Sequence, residues 1–385
     1  MSLFATGSQP STQVIEPYNL RIVPKPATKL MRHSGEAVSV YPFLGKDFFD
    51  ALQGCGAVAP KTGWQPCHLE TEQGWMPLYL RSHSRGEYVF DYSWAEAYHR
   101  HGLDYYPKLV TSIPFTPVTG PRWRGDLSAA SLWSGVKDRM AEHQASGWHL
   151  LFPDAAAREQ LQELPLVPRQ ACHFRWLNRD YRDFEDFLGQ FQSRKRKNLR
   201  KERRRVQEQG LTITRHHGDR ISASDWAFFY QCYASTYLKR GQLPYLNEAF
   251  FSAVGERLSE QLMLVLARDG ERPVAAALYF FDAECLYGRY WGCLEERDAL
   301  HFELCYYQGI EFAIEQQLAA FDPGVQGEHK ILRGFEPVIT WSMHHLREPA
   351  FHRAIADFCR EEAVHVQGYR EEAMTLLPFR KGGGD

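Results

Sequence analysis

Apolar and polar positions along this chain switch repeatedly between a helical period and a strand period. A helix-spaced set runs from Pro42 to about Gln53, strand-like segments follow at 66–69 and 76–80, and an aromatic helix is expected from Trp94 to His101. Residues 113–122 hold three prolines and a glycine, which forbids regular helix and predicts a shaped loop. A helix near 129–146, a buried strand at 148–152, a helix near 155–161 and a strand at 172–177 continue the alternation.

A second alternating set begins at Phe184, Phe187, Leu188 and Phe191, an apolar stripe at helical spacing. Ser193 is placed to N-cap the next helix, on which Leu199 and Val206 keep one face apolar. A strand at 211–214 and helices at 223–238 and 249–259 lead to three strands, 263–267, 274–281 and 285–291, the first two joined by the turn Asp269–Gly270. A long helix from His301 to Leu318 and a C-terminal helix over 350–366 close the pattern, which is that of an α/β (α+β) chain.

The length of 385 residues suits two domains, and 24 Phe, 19 Tyr and 10 Trp supply the rigid surfaces of deep cores and clefts. The first 35 residues, polar and aperiodic, are expected to form a flexible tail, and 381–385 a frayed end. With no run of about 18 apolar residues and no signal-peptide pattern, the expected location is cytoplasmic, with no transmembrane segment. Eight cysteines without CxxC spacing suggest neither a disulfide framework nor a zinc site.

Charge changes the picture at one place. Residues 194–205 contain nine cations and one anion, a net +8 in a chain whose total is −2, so the remainder carries −10. Surface helices usually interleave both signs, so this run predicts an anionic partner, with Arg194, Lys197 and Arg200 nearest the positive end of the helix dipole as phosphate-binding candidates. No helix-turn-helix or zinc pattern accompanies it, which argues against DNA. Arg203 to Arg205 are expected to face solvent.

Four segments together resemble the Fem-type peptidyltransferases, tandem members of the GNAT acyltransferase superfamily: SRKRKNLRK at 193–201 leading to GLTI at 210–213, the meander at 263–291, the helix at 306–314 followed by AFD at 320–322, and GEHKILRGF at 327–335. At finer grain, TGWQP at 62–66, GEYVFD at 86–91, YYPK at 105–108, PFTPVTGP at 114–121, LYGRYWG at 286–292 and QGEHK at 326–330 resemble FemAB-like bacterial proteins of peptidoglycan biosynthesis or recognition, over about 42–365. The resemblance implies tandem GNAT-like domains, mixed mostly antiparallel sheets flanked by helices, divided as 36–170 and 171–340, with 341–385 bringing a C-terminal helix back to the first domain. It implies transfer of an acyl or aminoacyl group to an amine acceptor in an interdomain cleft. The acceptor would be a small molecule or muropeptide precursor. The co-substrate would be aminoacyl-tRNA or acyl-CoA, with no tightly bound cofactor. The alternatives are a non-catalytic protein that binds peptidoglycan or a phosphorylated ligand, and an ordinary acyl-CoA-dependent N-acyltransferase.

Acyl transfer to an amine needs a base for the attacking nitrogen and a cation or N–H group for the tetrahedral oxyanion. The segment 326–330 offers Glu328 or His329 as base and Lys330 for the oxyanion or a phosphate, with Gln326 beside them. The family's functional lysine falls on Leu332, so either Lys330 or Arg333 stands in for it or the role is absent. Tyr287, Arg289 and Trp291 alternate along one strand and are expected on one face as a cleft floor able to clamp an anion. His301 and Glu303 open the long helix as substrate contacts or a cap pair, after EERD at 295–298 where a CoA-binding GNAT protein has a Gly-rich run. The family's arrangement implies that Tyr106, Lys108 and Thr116 of the first domain face the same cleft, along with Tyr105, Thr119 and Arg122. His344 and His345 point to opposite faces of a strand and predict no metal site. Serine-hydrolase and Rossmann motifs are absent.

Overall fold

The computed structural model describes residues 41–325 and 327–380; the tail expected over 1–35, the closing residues 381–385 and the candidate Gln326 lie outside the described residues. The strands are β1 (Trp64–Pro66), β2 (Leu69–Thr71), β3 (Gly74–Met76), β4 (Tyr79–Arg81), β5 (Lys108–Thr111), β6 (Arg124–Gly125), β7 (Gly147–Leu151), β8 (Val167–Leu177), β9 (Leu211–His217), β10 (Leu262–Asp269), β11 (Arg272–Phe281), β12 (Cys285–Cys293), β13 (Ala320–Asp322) and β14 (Glu336–Leu346). Eleven of them form one sheet in the order β1-β4-β5-β7-β14-β8-β13-β12-β11-β10-β9. Within it only β5–β7 and β12–β13 run parallel, which gives the mixed, mostly antiparallel sheet that was expected.

The order contains a crossover that joins the halves. β7 and β8 are consecutive in sequence, yet β14 lies between them and is antiparallel to both. Its register with β8 runs from Glu336↔Arg175 to His344↔Val167. The last strand of the chain therefore stitches the N-terminal strands to the C-terminal ones.

Helices cover both faces: α1 (Lys46–Gly54), α2 (Tyr92–Arg100), α3 (Ala129–Glu142), α4 (Ala155–Gln160), α5 (Phe184–Gly189), α6 (Ser193–Glu208), α7 (Ala223–Leu238), α8 (Glu248–Arg257), α9 (Leu300–Phe302), α10 (Gln308–Glu315) and α11 (Pro349–Thr375). α11, longer than predicted, packs on β8 and β14. One apolar core crosses the halves, with Phe43 and Phe48 of the N-terminal part against Phe250 and Phe280 of the C-terminal part. β10 shows why the sheet's interior reads as a continuous apolar run. Met263, Val265 and Ala267 face one core and Leu262, Leu264 and Leu266 the other, so both pleat faces are buried.

Three local expectations change. Helix α6 starts at Ser193 itself, with Gln192 at the cap position and no side-chain cap bond. The long helix predicted from 301 to 318 is interrupted by a π-helical turn at Glu303–Tyr307, between α9 and α10. On β12 the pairing passes from Leu278↔Tyr290 to Tyr279↔Gly288, leaving Arg289 as an extra residue. That bulge breaks the alternation: Tyr287 and Tyr290 enter one core while Trp291 packs on the other, so Tyr287, Arg289 and Trp291 do not share a face.

Candidate functional site

The parallel pairing of β12 with β13 ends at Tyr287↔Asp322. From there the chain turns through Pro323 and Gly324 into a 3-10 turn at Glu328–Arg333, close to where β12 bulges and where the loop 113–122 arrives from the N-terminal half. Successive residues of a 3-10 turn are spread by about 120°, so three neighbours in sequence look in three directions. Glu328 points outward and accepts from the Tyr369 hydroxyl of α11 at 2.8 Å. His329 points to the π turn, its Nε2 lying 2.7 Å from the Tyr306 hydroxyl. Lys330 points inward and donates to the Gly324 carbonyl at 2.6 Å. Gly327 permits this, since a Cβ there would lie 2.2 Å from the His329 ring and its φ is +111°. Of the three residues predicted as reactive, the structure brings Lys330 toward the junction, turns His329 to the π turn and turns Glu328 outward.

Lys330 is 1% exposed, and burial pulls its ammonium down to about 8, against the opposing pull of the Asp322 carboxylate. Asp322 accepts from Gly324 N–H at 3.0 Å and lies 3.7 Å from an Arg175 nitrogen on β8. His173, one face along β8, is held near pKa 4 by burial and packs its ring 5.7 Å from Phe152. Arg289 crosses to the N-terminal half and donates to the Phe115 carbonyl at 3.0 Å. Phe115, with φ +58°, stacks on Tyr245 at 5.0 Å. Arg122 is buried, and its guanidinium donates to three backbone carbonyls, Leu151 O at 2.6 Å, Pro121 O at 2.7 Å and Val118 O. Among the described residues no carboxylate pairs with Arg122, and the buried Nε–H groups of Arg175 and Arg289 have no partner. Arg175 and Lys330 thus flank the carboxylate of Asp322, with Arg289 close enough to act on Lys330, which favours an anionic ligand group. Asp322 and the β8 residues Arg175 and His173 were missed in sequence because only the antiparallel pairing of β13 with β8, strands far apart in the chain, makes them neighbours.

On the other side of the turn, His301 stands between Trp291 (5.3 Å) and His329 (5.9 Å). Burial pulls His301 to about 3 and His329 to about 4, so both imidazoles are neutral at neutral pH.

Several predicted contacts turn out to be internal. Lys108 is fully buried, donating to Glu87 Oε2 (2.8 Å), to Ser84 Oγ (2.8 Å) and to Asp91. Glu87 also takes Arg81 at 3.0 Å, and the Tyr106 hydroxyl is 2.8 Å from Ser84 Oγ. Thr116 lies at the junction but is buried and donates to the Pro114 carbonyl at 3.0 Å. Tyr287 donates to Asp282 at 2.9 Å within the core. Glu303, 0% exposed, is neither a cap nor open to a ligand, because Arg203 grips both its oxygens at 2.9 and 3.0 Å. Arg333 is likewise spent on Glu202, at 2.7 and 2.9 Å.

The basic helix is two-faced. Leu199, Glu202, Arg203 and Val206 are buried at i, i+3, i+4, i+7, and this spacing was the sequence signal that Arg203 does not face solvent. Burying Leu199 and Val206 is worth roughly 1.5–3 kcal/mol each. Arg205 pairs with Asp298 at 3.0 Å, and Arg200 with Glu185. Outward, Arg196, Lys197, Arg200, Lys201 and Arg204 line a surface groove of about 470 Å³ with Ser193. Arg194, Lys195, Arg196, Lys197, Lys201 and Arg204 form no ion pair among the described residues. Glu202, the one acid in the run, faces inward and does not screen them.

A FemAB-like family model, described as peptidoglycan biosynthesis/recognition, matches residues 27–381. No curated protein matches the sequence. Among solved structures, L-PGS from Bacillus licheniformis is 11% identical over 85% of this chain and 98% of its own, with a TM-score of 0.50. FemX is 12% identical over 81% and 93%, with a TM-score of 0.48, and a tandem GNAT protein from the clavulanic acid biosynthesis pathway is 9% identical over 80% and 97%, at 0.39. At such identities the likeness concerns the fold.

Proposed function

The chain belongs to the FemAB-like family of peptidoglycan biosynthesis/recognition, and from that premise we propose that it transfers an aminoacyl group from aminoacyl-tRNA to the amine of a muropeptide precursor. The observation that carries the reading is Lys330, a buried ammonium with no carboxylate in hydrogen-bonding contact among the described residues, lying among cations and one acid where the two halves meet. In the reaction the acceptor nitrogen attacks the ester carbonyl, forming C–N. The C–O bond to the ribose breaks, the nitrogen loses a proton and the departing alkoxide gains one. Lys330 supplies positive charge to the tetrahedral oxyanion, Asp322 receives the acceptor amine, and His329, neutral at neutral pH, is the base. Arg175 and Arg289 take an anionic group of the acceptor, and the outer face of α6 takes donor phosphates.

No tightly bound cofactor enters this scheme. Such a donor belongs to the cytoplasm, and among the described residues no helix is long and apolar enough to cross a membrane. The test is transfer of label from a charged tRNA pool to a nucleotide-linked muropeptide precursor, with acetyl-CoA as a parallel donor. Label should move from tRNA in the parent protein and not in Lys330→Met. Consumption of acetyl-CoA alone supports the N-acyltransferase alternative; binding of the precursor with no donor consumed refutes the enzyme reading.

A further inference from the structure

The inner face of α6 carries two charges that the proposed reaction does not use. Glu202 holds Arg333 at two points, 2.9 and 2.7 Å, and also accepts from the Tyr307 hydroxyl. Arg333 passes the hold on, donating to the His329 carbonyl at 2.6 Å while its guanidinium lies 3.5 Å over the Phe302 ring. Beside it, Arg203 grips Glu303 and donates to Glu311 at 2.6 Å. The two inner charges of one helix therefore reach the two irregular elements around Lys330: Glu202 the 3-10 turn at Glu328–Arg333, Arg203 the π turn at Glu303–Tyr307.

Stability alone does not call for such pairs, because well-packed apolar residues of similar volume serve as well as buried ion pairs. A two-point guanidinium–carboxylate bond adds direction: it fixes both the rotation of α6 and the placement of the turn it grips. The outer and inner faces of α6 share one backbone, with outward Lys201 and Arg204 directly flanking inward Glu202 and Arg203.

We propose that Glu202 is a positioning residue that, through Arg333, holds the turn bearing His329 and Lys330 in register with α6, so that an anionic chain docked on the outer cations stiffens the turn at Lys330. The inference rests on the reading of α6 as the donor's docking face and of Lys330 as the reactive cation.

The test is hydrogen exchange on the full chain, parent and Glu202→Gln, with and without uncharged tRNA. Without RNA, exchange over 327–335 should rise about tenfold in the variant while β10 and β11 keep the parent rate, the signature of local and not global opening. With RNA, exchange over 327–335 should slow in the parent and not in the variant, although both bind RNA equally. In the transfer assay the variant should lower kcat and leave the KM for donor unchanged. Parent-like exchange over 327–335 in the variant, or equal slowing by RNA in both proteins, overturns the proposal. Failure of the parent to bind tRNA removes the docking reading, and the RNA-free comparison still decides whether Glu202 holds the turn. Should Glu202→Gln not fold, Glu202→Leu with Arg333→Met keeps the packing, loses the directional bond and carries the same test.

Discussion

Replacing Lys108 by Met separates a structural lysine from a ligand contact. The side chain is fully buried, and its ammonium is the shared partner of Glu87, Asp91 and Ser84, so the substitution leaves two carboxylates facing each other without their common cation. Arg81 still neutralises Glu87 in part, at 3.0 Å. Removing one partner of a buried ion pair costs about 3–5 kcal/mol. Unfolding entropy scales with chain length, and at about 2.1 cal/mol/K per residue for the 339 described residues (285 + 54) it is about 0.7 kcal/mol/K, so the loss corresponds to roughly 4–7 °C in Tm. Scanning calorimetry of Lys108→Met against the parent reads this directly. Adding Asp91→Asn removes the carboxylate left without a cation while Glu87 keeps Arg81, so the double variant should recover part of the lost Tm. A single variant with parent Tm and weakened precursor binding would refute the reasoning and return Lys108 to the cleft.

Lys330→Met should abolish transfer with little change in Tm, and transfer should fall as pH rises through about 8, because the ammonium that stabilises the oxyanion is lost there; a flat rate between pH 7 and 9 would contradict that role. Glu328→Ala, on the outward face of the same turn, should keep transfer within a few-fold of the parent. Neutralising Arg196, Lys197, Lys201 and Arg204 together should weaken tRNA binding and reduce the steepness of its salt dependence by about 3 in log–log slope, with Tm unchanged. Acid should destabilise the fold through its buried histidines. His149 and His301 are held near 3 and His173 and His217 near 4, so between those values and about 6.5 the unfolded chain binds protons that the folded chain does not. Tm should therefore drop steadily from pH 6.5 to 4.5, with a shallower drop in His149→Gln.

Much of the architecture was legible because burial writes a period into sequence. β10, β11 and β12 appear as apolar runs bounded by turn residues, and the prolines at 114, 117 and 121 announce the shaped loop. What stayed hidden depends on a single extra residue or on a partner far along the chain. The bulge at Arg289 sends Tyr287 and Trp291 to opposite cores, and nothing in the alternation of residues 285–293 marks it. Glu303 and Arg333 read as ligand contacts until Arg203 and Glu202 are seen to occupy them from a helix about 100 or more residues away in sequence.

By itself the sequence determined the element types, the family resemblance and the density of positive charge on α6, since these follow from local spacing and composition. Only the tertiary structure decided which charges face outward and which are neutralised. A charged side chain's role is set by what is packed against it, and here the pairing of β13 with β8 brings Asp322 beside Arg175 near Lys330, while Lys108, Glu303 and Arg333 are buried among their own counter-ions.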